Sequence, residues 1–178
     1  MRSAPTLTGT GFTLRPWRES DAPALEPACA DAEIRRFSWV PPSYSPDAAA
    51  SWIAHQHERL HEGTTLTLAI EAAGADLPVG MVGIFALDEP RPRIGYWIIQ
   101  ALRGRGLALE AARCLVTWAF AELAPEALQL DIEPHNAASQ RVAWQLGARP
   151  SGQVVKTEAA GRLVFDRYTI DPPADAPG

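Results

Sequence analysis

Lysine is almost missing from this chain: of its 16 basic residues, Lys156 alone is a lysine. Any anion site must therefore be built from arginine or from backbone N–H groups. Cysteine is scarce too, with Cys29 and Cys114 in unrelated contexts that argue against pairing. A net charge of −5 argues against bulk electrostatic binding of nucleic acid. No apolar run approaches the ~20 residues of a membrane span. Residues 1–11 lack a basic stretch followed by an apolar one, so they do not read as a secretory signal. A cytoplasmic protein with no membrane partner is the default. What remains is ordinary for a folded domain: 178 residues, 47% hydrophobic, with six Trp. That length fits one domain, with a core large enough to need no staples.

Residues 1–170 show no internal repeat and no interior linker, whereas residues 171–178, rich in Pro, Ala and Asp, read as a disordered tail. Phe12, Leu14 and Pro16 alternate with Thr13, Arg15 and Trp17 in a short first strand that proline places at an edge or a strand end. Ser20 or Asp21 can cap a helix running to about Ala30. Residues 35–44 read as an aromatic, proline-containing loop. Ser45 then caps a helix with Pro46 at its first position and Ala49, Trp52, Ile53 and Leu60 as its apolar stripe. Three strands, 65–71, 78–87 and 93–99, follow with connections short enough for antiparallel hairpins. A helix over about 105–121, an alternating strand from Leu128 to Glu133, a helix over 136–146 stopped by Gly147, and strands 153–157 and 162–170 complete the chain. The unit 93–133 is strand, helix, strand, and predicts a right-handed crossover between parallel neighbours. The fold class is thus α/β of mixed α+β character, a mostly antiparallel seven-stranded sheet with helices on both faces.

The chemistry concentrates where strand 93–99 runs through Arg103-Gly104-Arg105-Gly106 into a helix. A helix start presents unpaired N–H groups and the positive end of a dipole, glycines allow close approach, and two arginines add charge; the combination suits a phosphate. A plain βα turn with solvated arginines is the structural alternative. A P-loop is excluded, since it needs a lysine. A dinucleotide fingerprint needs a third glycine where Leu109 stands, although Glu133 could imitate its ribose-binding acid. A fingerprint of that kind normally opens an all-parallel domain, whereas here several antiparallel strands come first.

Arg103-Gly-Arg-Gly-Leu-Ala108 resembles the (Gln/Arg)-x-x-Gly-x-(Gly/Ala) pyrophosphate loop of GNAT acyltransferases. The element order over roughly residues 12–170 resembles that family. Ile-Gly-Tyr-Trp before the loop, Leu-Ala-x-Glu-Ala in the helix and Pro134-His-Asn136-Ala-Ala-Ser139 are similar to its RimJ/RimL-like branch. The resemblance implies a splayed sheet, acetyl-CoA as co-substrate and transfer of an acetyl or short acyl group to a primary amine. That amine is a protein N-terminus or a small molecule, and the resemblance allows a homodimer. Ile98 and Ile99 would touch pantetheine through their main chain. Arg103, Gly104, Arg105, Gly106, Leu107 and Ala108 would cradle the pyrophosphate, and Asn136, a helix cap in its own right, would reach the pantetheine arm. Many members place a Tyr seven residues after the motif asparagine; here that position is Ala143. The branch assigns the leaving-group role to the serine three residues on, which is Ser139.

The resemblance leaves the base open. Arg93 stands where relatives often carry Glu, and Asp88, Glu89 and Glu133 are nearby acids. The loop 35–44, with Phe37, Trp39 and Tyr44, falls where the family walls its acceptor site, so Trp39 and Tyr44 are the substrate-contacting candidates. A non-catalytic acyl-CoA-binding protein is the rival reading, motivated by the missing Tyr and Glu. His57-Glu58-Arg59-Leu60-His61 matches a zinc-protease signature. However, it sits in the last turns of its helix, its histidines flank the apolar stripe, and no third ligand follows at a known spacing. No metal is expected.

Overall fold

The computed structural model describes residues 4–38, 40–158 and 161–174. Eight strands form one sheet in the order β1-β2-β3-β4-β5-β6-β8-β7, with β1 Leu7–Gly9, β2 Phe12–Arg15, β3 Thr65–Ala72, β4 Gly80–Phe85, β5 Arg93–Ile98, β6 Leu128–Ile132, β7 Arg149–Glu158 and β8 Gly161–Ile170. Every pairing is antiparallel except β5 with β6. The sequence reading gave seven strands. The additional one is β1, a three-residue strand that pairs Leu7 with Leu14 and Gly9 with Phe12 across a tight turn. It is too short to announce itself by alternation.

Helices cover both faces. Alternation along each strand sends one set of side chains to each side. On one side, Leu14, Leu66, Leu68, Val82, Ile84, Ile94 and Ile98 pack against Ala111, Ala112, Leu115 and Ala119 of α4, Leu107–Glu122. Ala143 of α5, Ala137–Gln145, joins the same cluster. On the other side, Ala69, Met81 and Trp97 meet Leu25 and Ala28 of α1, Leu25–Ala30, Ile34 of α2, Ala32–Phe37, and Ile53 of α3, Pro46–His61. Trp17 packs edge-on to Trp52 with ring centroids 5.2 Å apart. Among the described residues, no helix is long and apolar enough to cross a membrane.

Helix ends follow the expected chemistry in three places. Ser45 accepts from the Ala48 N–H with Pro46 at the first helical position. Asn136 accepts from the Ser139 N–H at the start of α5. At its far end Gly147, with φ +79°, donates to Trp144 while Ala148 donates back to Ala143, a paired closure that satisfies two terminal carbonyls.

Two local expectations differ. Residues 19–30 do not form one helix capped by Ser20 or Asp21. A 3₁₀ segment, Glu19–Ala24, precedes α1, and the Asp21 carboxylate is taken by Arg15 at 2.7 and 3.0 Å and by the Arg18 N–H. Asp21 serves instead as the third residue of that segment, its carboxylate receiving the N–H of Arg18 just before it, and Pro23 removes a further donor. Residues 35–44 are not all loop: α2 occupies Ala32–Phe37, capped by Asp31, which accepts from the Glu33 and Ile34 N–H groups. The expected tail begins at Asp171, whose carboxylate pairs with Arg149 at 2.8 and 3.0 Å. Residues 175–178 lie outside the described residues.

The outer antiparallel trio β6-β8-β7 is fastened by a buried charge. Asp131, whose side chain is 2% exposed, accepts from Arg167 Nε at 2.7 Å and pairs with Lys156 Nζ at 2.9 Å. Burial alone would push its carboxyl up, but the bonds from Arg167 and Lys156 hold it below the usual carboxylate range. A depressed folded-state value means that the stabilisation is complete above the unfolded value of about 3.9 and is lost as pH falls through the folded one. Asp131→Asn should therefore lower Tm at pH 7, and the gap to wild type should close below about pH 4. Thermal melts across pH 2–8 measure it.

Candidate active site

β5 and β6 touch at one register position, Arg93 opposite Gln129, with the Gln129 N–H donating to the Pro92 carbonyl at 3.0 Å. Beyond it the strands part. Residues of even number on β5 direct their N–H and C=O toward β6, as Pro92 does, while those of odd number face β4, as the Ile99 N–H does in donating to Val79. The parting therefore leaves the backbone of Tyr96 and the N–H of Ile98 without a β6 partner along one wall of a gap, while the Ile98 carbonyl accepts from Arg103 Nε at 3.0 Å. The gap opens into a cleft of about 840 Å³.

The sequence candidates divide at this cleft. Ile98, Arg103, Gly104, Gly106, Leu107, Ala108, Asn136 and Ser139 all line it. Ile99 does not, and both its backbone groups are spent: its N–H on Val79 and its carbonyl on the Leu102 N–H. Arg105 stands exposed outside the lining, with no ion-pair partner among the described residues. Tyr44 packs, half-buried, on the cluster of Trp17, Ile53 and Trp97 and is not part of the wall. Trp39 lies outside the described residues.

Gly106 is the helix cap of α4, at φ +79°, and it contributes no side-chain capping bond; Gly104 has φ +74°. A Cβ at Gly106 would meet nothing within 4 Å, so space is not the constraint there. The left-handed backbone is, together with the open approach that a missing side chain leaves. The Glu110 N–H is the first to bond back into the helix, to Gly106. The N–H groups before it in the first turn lack intrahelical partners at the positive end of a 16-residue helix. They open on the cleft beside Arg141, which carries no ion pair among the described residues.

Arg103 behaves differently from the expectation that its charge would face a diphosphate. Its guanidinium donates to the Ile98 carbonyl at 3.0 Å, to Glu33 at 2.8 Å and to Asp31 at 2.7 Å. It ties the loop to the start of α2, so its charge is already paired within the protein.

Two sets of polar groups face each other across the parting. On the α2 side, Glu133 directly follows β6, its side chain 8% exposed and ion-paired to Arg36. Asp88 and Glu89 lie at the opposite end of β5, where Glu89 pairs with Arg93 at 3.0 Å, so Glu133 is the cleft's carboxylate among the three sequence candidates. On the α4 and α5 side, Ser139 occupies the third position of α5, fixed by its N–H bond to Asn136 Oδ1 at 3.0 Å. Tyr96 points to that same side, since Ile94 and Ile98 flank it in the α4 cluster. Burial pushes its hydroxyl up to about 12, against a smaller opposite pull from Ser139. Sequence reasoning quoted Tyr96 as part of a motif and assigned it no role; a polar residue between two core positions of a strand was the available signal. Ala143, where many relatives carry Tyr, is fully buried in the core.

His57 of the zinc-like motif is exposed, with Nε2 2.9 Å from the Trp17 carbonyl oxygen, and His61 lines a separate cavity beyond the far end of β5. Among the described residues, no three His, Cys, Asp or Glu converge as a metal site.

A mostly antiparallel sheet, parted at its one parallel junction beside a glycine-started helix, defines a class of acyltransferase folds. The family model described as "Acetyltransferase (GNAT) domain" matches residues 12–149, and the chain belongs to that family. The probable N-acetyltransferase YjcK of Bacillus subtilis is 29% identical over 112 residues, covering 61% of this chain and 62% of that protein. The chain thus spans under two thirds of this curated relative. An acetyltransferase structure from Agrobacterium tumefaciens is 27% identical with TM-score 0.72, covering 94% of this chain and 96% of the other. Mycobacterium smegmatis RimJ, solved in complex with a CoA-disulfide, shares the fold at TM-score 0.79 and 21% identity, with coverage of 94% and 86%.

Proposed function

We propose that the protein transfers an acetyl or other short acyl group from CoA to a primary amine, either a peptide N-terminus or a small molecule. The observation that carries this reading is the parting of β5 from β6 after one register pair, with α4 starting at its mouth. The gap leaves the backbone of Tyr96 and the N–H of Ile98 unpaired by β6, so an extended arm with amide groups such as pantetheine can pair along it. Gly104, Gly106, Leu107 and Ala108 offer N–H groups and a helix dipole to the diphosphate. Arg105 and Arg141 add charge from the rim. Asn136, with its oxygen engaged by Ser139, keeps its amide N–H₂ to donate to the arm. Membership of the GNAT family and the CoA complex of a structural relative support the same reading.

The two sides of the parting give the reaction a direction. The thioester reaches the gap from the α4 side, where the diphosphate is held. The amine approaches from the α2 side, attacks the carbonyl carbon and passes a proton to Glu133. The N–C bond forms, the C–S bond breaks with its electron pair on sulfur, and Ser139 donates a hydrogen bond to the thiolate, which then takes a proton from solvent. Holding two reactants in line supplies most of the rate advantage in such a step, with proton acceptance adding about 10²–10⁴-fold.

Three results test this assignment. Coenzyme A and acetyl-CoA should raise the Tm of the wild type, and Gly106→Val should keep the fold while weakening CoA binding more than tenfold; unchanged affinity removes the loop from the site. With a panel of amines and detection of free thiol, Ser139→Ala should lower kcat more than it alters KM for acetyl-CoA. Glu133→Gln should slow amine turnover at pH 7 by about 10²-fold, with the deficit shrinking as pH rises and solvent hydroxide takes over proton acceptance. An equal pH profile in the two proteins would leave Glu133 outside the chemistry.

A further inference from the structure

The Tyr96 hydroxyl oxygen is sealed from solvent and makes no hydrogen bond of ordinary geometry among the described residues. Leaving a buried hydroxyl unpaired costs about 1–3 kcal/mol, so such a group needs an explanation. Packing does not require it, because phenylalanine would fill the same space beside Ile94 and Ile98. The hydroxyl stands in the cleft wall that Ser139 shares, and Ser139 is the side chain that pulls against its burial. Ser139 itself is immobilised by backbone, its N–H being held by Asn136. What its backbone does not fix is the direction of its own proton.

Resting on the acyl-transfer reading above, we propose that Tyr96 is a positioning residue for the leaving group: its hydroxyl donates to Ser139 Oγ when the thioester is bound and so aims the Ser139 proton at the sulfur. A serine hydroxyl rotates freely and chooses its orientation from its neighbours. With a donor fixed on one side of Oγ, the remaining O–H turns away toward the cleft, and chained hydrogen bonds polarise one another. The tyrosine stays protonated at working pH, since burial holds its hydroxyl near 12, and it loses no proton in the reaction. It acts from a neighbouring strand, while the helical position where many relatives place their tyrosine is filled here by Ala143. Hydrogen bonds of catalytic groups are commonly long before substrate binds and tighten in the complex, as required here.

Tyr96→Phe, which deletes the hydroxyl and keeps the ring, tests the idea in the full chain. Its Tm without ligand should equal or exceed that of wild type, because an unpaired buried hydroxyl is removed. Its kcat should fall about tenfold or more, with KM for acetyl-CoA changed less than threefold. The double variant Tyr96→Phe/Ser139→Ala should be no slower than Ser139→Ala alone, since one residue works through the other. Wild-type kcat in Tyr96→Phe overturns the proposal while leaving acyl transfer standing. Additive losses in the double variant overturn the action through Ser139. A loss of Tm with unchanged kcat assigns the hydroxyl to structure and also overturns it. A wild-type protein that releases no thiol from acetyl-CoA with any amine overturns this inference and the proposed function together.

Discussion

A single parallel contact, Arg93 against Gln129, governs the architecture. Parallel strands linked through a helix need a long crossover, and α4 supplies it while packing against the sheet it spans. Had β5 and β6 zipped along their length, the backbone groups of Tyr96 and the N–H of Ile98 would have been spent on β6. Because they part, the sheet retains an interior edge, shielded by helices on both faces and open to a ligand at one end. Sheet edges are normally a liability that proteins cover or charge. Here the edge is internal, where another chain cannot pair with it.

Charge is distributed around that opening with economy. Arg103 is anchored by Asp31 and Glu33, so the same two acids that start α2 also fix the turn into α4. The carboxylate Glu133 is buried beside Arg36, which comes from the far end of α2. One six-residue helix is thus pinned at its beginning to the loop and at its end to β6, bridging the cleft from above. The acids are largely covered, but the Arg36 side chain is 60% exposed, so these pairs position the helix more than they stabilise the fold.

Much of this was legible in residue order. The strand sequence, the crossover, the capped α5 with Gly147 and the glycine-led start of α4 all follow from local chemistry, and local chemistry decided them. The differences have a common cause. Asp21, Arg103 and Ile99 were each read from position, and each is committed to a partner remote from the motif: Arg15, the start of α2, and β4. A one-dimensional pattern shows which groups exist and not which are already engaged. Helix α2 escaped notice because six residues hold too few turns for a period, and β1 because three hold no alternation. Tyr96 was hidden by its motif neighbours: its value lies in a hydroxyl whose neighbour, Ser139, sits on α5, far along the chain.

The near-absence of lysine has a further meaning once the fold is known. Lys156 projects from β7, its ammonium 2.9 Å from the buried Asp131 and 4.7 Å from the centre of the Phe165 ring. This chain carries a single ε-amine, and that one is spent inside its own sheet, tying β7 to β6 across β8.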